Sequence, residues 1–192
     1  SDAGRLSPVQ RGPIDIWLGN WDMEMSPGYL FMDMLNRVTS PYDLNPLNLN
    51  PLKDILEAHV DFKAVRACDR IKLMLSATNV ETGKVKVFRR QELTCDMVMA
   101  SACLPFLFQA VEIDGRPYWD GGYMGNPPLY PLFYDTETPD VMLIQINPIE
   151  RRKVPKTARE IVNRLNEITF NSTLLRELRA IDFVTRLIEE GK

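Results

Sequence analysis

Residues 101–128 read SACLPFLFQAVEIDGRPYWDGGYMGNPP, and the fold turns on how this stretch changes character along its length. Just before it, Thr94 or Asp96 caps an apolar helical run that reaches Cys103 and is stopped by Pro105. Asp114-Gly115 then separates Val111-Glu112-Ile113 from Arg116-Pro117-Tyr118-Trp119, and this dipeptide favours a tight primed hairpin turn. The second strand runs into Asp120-Gly121-Gly122, with an apolar approach and a polar exit. A carboxylate followed by two glycines at a strand end suits a cleft rim, because glycines permit positive φ and let a substrate or a neighbouring backbone come close. Partial dehydration there raises a carboxylate's pKa and makes it a better base than one in water. The plain alternative is a turn, which is all that Asp114-Gly115 signals in the same stretch.

Upstream, Ile71–Ala77 is largely apolar, as in a buried strand. Glu81-Thr82-Gly83-Lys84 turns it into the alternating Val85-Lys86-Val87-Phe88, which makes another hairpin. Leu52, Ile55 and Leu56 mark a short helix after a loop, Ser40 to Pro51, punctuated by three prolines. Residues 1–25 carry Pro8, Pro13, Trp17 and Trp21 with no period and read as irregular but anchored, and Ser26-Pro27 opens a helix through Tyr29, Met32, Leu35 and Val38. Downstream, Val141–Ile146 is the clearest strand in the chain. Thr157-Ala158-Arg159-Glu160 is a capping-box pattern. Beyond it Ile161, Leu165, Ile168, Leu174, Leu178, Ile181 and Ile188 keep helical spacing, for C-terminal helices that pack on the sheet or on a second subunit of a homo-oligomer. Strands and helices mixed in this order give an α/β class.

Composition narrows the chemistry. The chain has 192 residues, 45% apolar and 26% charged, the balance of a globular protein with one core. A net charge of −3 lacks the cationic surplus a general nucleic-acid binder needs. A single histidine, His59, rules out a multi-histidine metal site, and no metal or organic cofactor is expected. Cys68, Cys95 and Cys103 have no metal-site spacing and read as reduced thiols of a cytoplasmic protein. No apolar run approaches the ~20 residues that cross a bilayer, and Ser1–Arg5 lacks a signal peptide's apolar core, so membrane contact is expected to be peripheral.

Several segments resemble the patatin-like phospholipase family, in order. Ser40-Pro41-Tyr42-Asp43 with Asn50-Pro51-Leu52 is similar to the segment after the family's nucleophile region. Ser76-Ala77-Thr78-Asn79, continuing to Thr82-Gly83, resembles its "ATN…TG" strand and turn. Ala100–Phe108 resembles its "AS.A.P..F" helix end, and Trp119-Asp120-Gly121-Gly122 its D-G-G/A motif, with Asn126-Pro127 following. The resemblance covers residues 40–147. It implies a three-layer α/β/α sandwich, incomplete in this chain, and hydrolysis of lipid or phospholipid esters by a Ser–Asp dyad. Asp120 then matches the dyad base, while Gly121, Gly122 and Asn126 fall where substrate is bound. Residues 1–148 would be the C-terminal part of that domain, and 149–192 a helical extension packing on it or on a partner.

Two family features are missing. No glycine is followed two residues later by serine, so there is no G-x-S-x-G elbow, and Gly121-Gly122 is the only adjacent glycine pair. The serine is therefore expected upstream or on another chain, and this chain alone is expected to be inactive. A non-catalytic lipid-binding or scaffolding module of the same fold is the alternative. Ser101, in a run of small residues, and His59, between Glu57 and Asp61, read as structural, and Asn79 as either cleft-lining or loop-bonding. The Met23, Met25, Met32 and Met34 cluster and Leu104–Phe108 read as core. Arg151, Arg152, Lys153, Lys156 and Arg159 read first as a solvated face and second as a contact for anionic head groups.

Overall fold

The computed structural model describes residues 38–138 and 140–191; the tryptophans at 17 and 21, the helix from Ser26 and the methionine cluster lie outside the described residues. The chain divides into two compact units, Ser1–Leu49 with Phe106–Gln109, and Asn50–Pro105 with Ala110–Lys192.

The described part of the first unit holds a short helix, α1 (Pro41–Leu44), where the prolines predict a loop. Asp43 Oδ2 accepts the Ser40 N–H at 3.0 Å while the Ser40 hydroxyl accepts the Asp43 N–H at 3.3 Å, a capping box built with Asp in place of Glu.

The second unit opens with α2 (Pro51–His59), whose Asn50 cap accepts from the Leu52 N–H, and α3 (Phe62–Ala67), capped by Asp61. Six residues give too little periodicity to reveal α3 in the sequence. Strands β1 (Met74–Asn79) and β2 (Val85–Arg89) form the upstream hairpin. Helix α4 (Cys95–Ser101) follows, capped by Thr94, whose hydroxyl accepts the Met97 N–H at 3.3 Å. Strands β3 (Val111–Ile113) and β4 (Arg116–Asp120) make the second hairpin, closed by Asp114 at φ 51° and Gly115 at φ 71°, as a primed turn requires. Helices α5 (Tyr130–Asp135) and α6 (Ala158–Glu189) complete the unit.

The hairpins join through β1 and β4 into one antiparallel sheet of order β2-β1-β4-β3. Helix α4 packs on β1, β3 and β4. Ala77, Phe88, Ile113 and Tyr118 from the sheet meet Met97 and Ala100 of α4, together with Leu93. The Phe88 and Tyr118 rings meet edge to face with centroids 5.6 Å apart, which suits their opposed quadrupoles. Residue 77 stands opposite residue 120, so the core register of β1 also fixes where the aspartate sits.

Two expectations fail. Residues 141–146 form no strand, and Met142, Ile144 and Ile146 are exposed at 88%, 83% and 93%. An apolar run records a preference for burial, and a strand also needs a hydrogen-bonded neighbour; no strand of the described sheet pairs with these residues. Leu104, Phe106 and Leu107 are exposed, not in the core. Past α4 the chain runs through turns, with no helix or strand to hold those side chains against one.

The capping box at Thr157 and Glu160 forms as its pattern predicts, and it opens one continuous 32-residue helix in place of several. Leu174 is fully buried and Asn171 nearly so, whereas Ile161, Leu165 and Ile168 of the predicted stripe stay exposed. No described helix is long and apolar enough to cross a membrane.

Phe88→Ala should lower the free energy of unfolding by about 3–5 kcal/mol through lost burial and the cavity left behind. Ile146→Ala should change it by less than about 0.5 kcal/mol, as at other exposed positions. Urea denaturation of both variants checks the contrast, and equal losses would contradict the placement of residues 141–146.

Candidate active site

Asp120 is the last residue of β4 and the cap of a single 3-10 turn, Gly121–Tyr123. Its backbone is tied on both sides. The Asp120 N–H donates to the Cys103 carbonyl beyond the end of α4 at 2.9 Å, and its carbonyl accepts the Thr78 hydroxyl of β1 at 2.8 Å. The side chain turns back over its own loop, where Oδ1 accepts the Gly122 N–H at 2.7 Å. Oδ2 has no hydrogen bond among the described residues, which leaves it open to receive a proton.

Electrostatics follow from this half-buried position. Burial pushes the Asp120 carboxyl above its ordinary range, against the opposing pull of the Gly122 N–H. Cys103 and Tyr123 lie close enough to feel the Asp120 charge. Burial raises the thiol and the phenol most; a hydrogen bond from the Val111 backbone opposes the rise at Cys103, and the Asp120 charge adds to it at both. The three groups thus share one poorly solvated corner at the C-terminal end of β4.

The two glycines serve close approach, not unusual backbone: positive φ occurs at Gly83, Gly115 and Gly191 and not at 121 or 122. A Cβ on Gly121 would lie 2.2 Å from the Ser76 carbonyl oxygen and 2.3 Å from its hydroxyl. A Cβ on Gly122 would lie 2.8 Å from the Phe170 ring and 3.1 Å from Asp120 Oδ1. Gly121 therefore lets the turn press on β1, and Gly122 lets α6 press on the turn. Phe170 also meets the Tyr123 ring at a centroid distance of 5.1 Å, and its carbonyl accepts from Asn126 Nδ2 at 3.4 Å. Two turns further along α6, Glu177 accepts the Leu129 N–H at 2.6 Å.

Sequence reasoning picks out Asp120, Gly121, Gly122 and Asn126, and the structure brings them together on and after one turn. It misses Tyr123, Ser76 and Phe170. Tyr123 carries a local signal, three residues past the aspartate on a helical turn, but Phe170 lies 50 residues away and carries none. Other candidates have internal partners. The Asn79 side-chain oxygen accepts the Thr82 N–H and hydroxyl, both at 2.9 Å. Ser101 donates to the Val98 carbonyl within its own helix at 2.7 Å, and His59 Nδ1 lies 2.9 Å from the Ile55 carbonyl. Among the described residues no group of three His, Cys, Asp or Glu side chains is placed to hold a metal ion. Gly121→Ala, which forces the turn off β1, should cost about 1–3 kcal/mol of stability in urea denaturation; an unchanged midpoint would contradict this packing.

Residues 16–133 match the family described as patatin-like phospholipase. No curated protein sequence matches the chain. The family match spans well over half of the chain and contains Asp120 with both glycines, so this chain belongs to the patatin-like phospholipase family.

Proposed function

We propose that the chain supplies the general base of a lipid acyl ester hydrolase. The observation that carries this reading is Asp120: its backbone is tied by two hydrogen bonds, and its partly dehydrated carboxylate accepts one from the Gly122 N–H while Oδ2 takes none among the described residues. In the proposed dyad, a serine oxygen attacks the ester carbonyl carbon and its proton passes to Oδ2 of Asp120. The proton then goes to the departing alcohol. Water attacks the acyl-serine, Asp120 takes the water's proton, and the free acid leaves as the serine regains its hydrogen. No histidine is needed, which fits the single imidazole engaged at the end of α2.

The serine comes from polypeptide outside these 192 residues, on an upstream segment or a second chain, since no G-x-S-x-G occurs in them. The chain alone is then inactive. The complete domain is a three-layer α/β/α sandwich of which the antiparallel sheet is one part. Gly121, Gly122 and Asn126, on and just after the turn that Asp120 caps, border the substrate. The three cysteines, present as thiols, fit a reducing, cytoplasmic setting. The same missing elbow favours a second reading, a lipid-binding module that lacks a nucleophile.

The test joins the chain to a segment carrying the elbow and follows hydrolysis of a short-chain nitrophenyl ester. Asp120→Asn keeps an acceptor for the Gly122 N–H but removes the base, so the rate should fall about 10²–10⁴-fold while the fold persists. Undiminished hydrolysis would end the hydrolase reading, and no hydrolysis with any elbow-bearing segment would favour the binding module.

The raised Asp120 pKa also sets two pH dependences. Only the carboxylate is a base, so activity should fall with acid at a pH above the ordinary aspartate value of 3.8. The folded state binds this proton more tightly than the unfolded one, so the cost of burying the charge is absent in acid and appears as pH rises through the raised pKa. Thermal melts should therefore show Asp120→Asn gaining stability relative to the parent as pH rises through that window. A gain on acidification would contradict the sign.

A further inference from the structure

Away from Asp120, residues 151–167 enclose an open groove of about 1000 Å³ where the segment before α6 folds back on the helix. Arg151, Arg152, Lys153, Lys156 and Arg164 line it against two carboxylates, Glu160 and Glu167, in a chain whose net charge is −3. Both carboxylates are already committed. Glu167 takes a two-pronged contact from Arg151, at 2.6 and 3.2 Å, and a third from Arg164 at 3.0 Å. Glu160 accepts the backbone N–H groups of Lys156 and Thr157. Arg164 further holds the Pro148 and Ile149 carbonyls, so the wall that carries the remaining cations is braced. Arg152, Lys153 and Lys156 form no ion pair with a carboxylate among the described residues, and Val154 stands between them at 79% exposure.

We propose that this groove docks the protein on an anionic phospholipid surface, with Arg152, Lys153 and Lys156 gripping lipid phosphates and Val154 entering the interfacial layer. A free phosphate would use the cations alone. The exposed valine flanked by cations suits a surface that is anionic outside and apolar beneath. Helix geometry separates this from ester binding: Lys156 and Thr157 lie about 20 Å along the α6 axis from Phe170, at a rise of 1.5 Å per residue. The groove thus holds the protein to the interface and leaves the Asp120 corner to the scissile ester. The proposal does not rest on the hydrolase reading, because a catalytically dead chain should still bind.

The test is cosedimentation of the chain with vesicles of phosphatidylcholine alone, or of equal parts phosphatidylcholine and phosphatidylglycerol, across a range of salt. Binding should require the anionic lipid, weaken with salt, and persist in Asp120→Ala. Combined Arg152→Gln, Lys153→Gln and Lys156→Gln should weaken it about a hundredfold at low salt, three charges each contributing near the surface. A control with Arg176→Gln and Arg179→Gln, exposed further along α6, should lose far less. No binding to anionic vesicles, or equal losses in the two charge variants, would overturn the assignment. So would inorganic phosphate displacing the chain more effectively than chloride of equal ionic strength, since that would mark a soluble phosphate site. An unchanged thermal midpoint in the triple variant confirms that it is folded, and hydrolysis of a soluble ester, where reconstituted, should be untouched.

Discussion

The structure depends on where one residue's backbone is tied. Asp120 closes the sheet at β4, and its N–H and carbonyl are claimed by Cys103 beyond α4 and by Thr78 on β1. Those are the two elements that sandwich the apolar core of Ala77, Met97, Ala100 and Tyr118. The same burial that stabilises the sheet thus fixes the carboxylate, and the energy that orients the side chain is supplied by the core. A neutral hydrogen bond of this kind contributes about 1 kcal/mol net, so the two tethers set direction more than they set stability.

The glycines transmit that constraint in two directions. Gly121 brings the turn against β1 at Ser76, and Gly122 brings Phe170 of α6 against the turn. Helix α6 lies beyond the residues that match the family, yet its Phe170 packs on the turn that Asp120 caps. Burial keeps the carboxylate raised even though it accepts the Gly122 N–H, which alone would lower it. Base strength at this site is accordingly a property of packing from three elements, not of the D-G-G sequence alone.

How much of this is legible in the sequence follows from range. Both hairpins, the Thr94 cap and the Thr157–Glu160 capping box rest on residues within a few positions of each other, and they read correctly. Asp120 is visible as a carboxylate at a strand end, but its tethers to Cys103 and Thr78 are not, since neither hydrogen bond leaves a trace in local pattern. Phe170 is the clearest loss: it looks like one more apolar position on a helix. Residues 141–146 fail for the opposite reason, because a strong local pattern lacks the neighbour that would make it a strand. Leu104–Phe108 shows that an apolar run is not a buried run once proline has ended the helix that carried it.

Asp120 is held partly dehydrated at the end of β4, with Oδ2 taking no hydrogen bond among the described residues. A carbon-13 NMR titration of its side-chain carboxyl tests this without reference to any reaction. The midpoint should lie above the ordinary aspartate value and drop toward it when Phe170→Ala admits water. A midpoint at or below that value in the parent chain would contradict it.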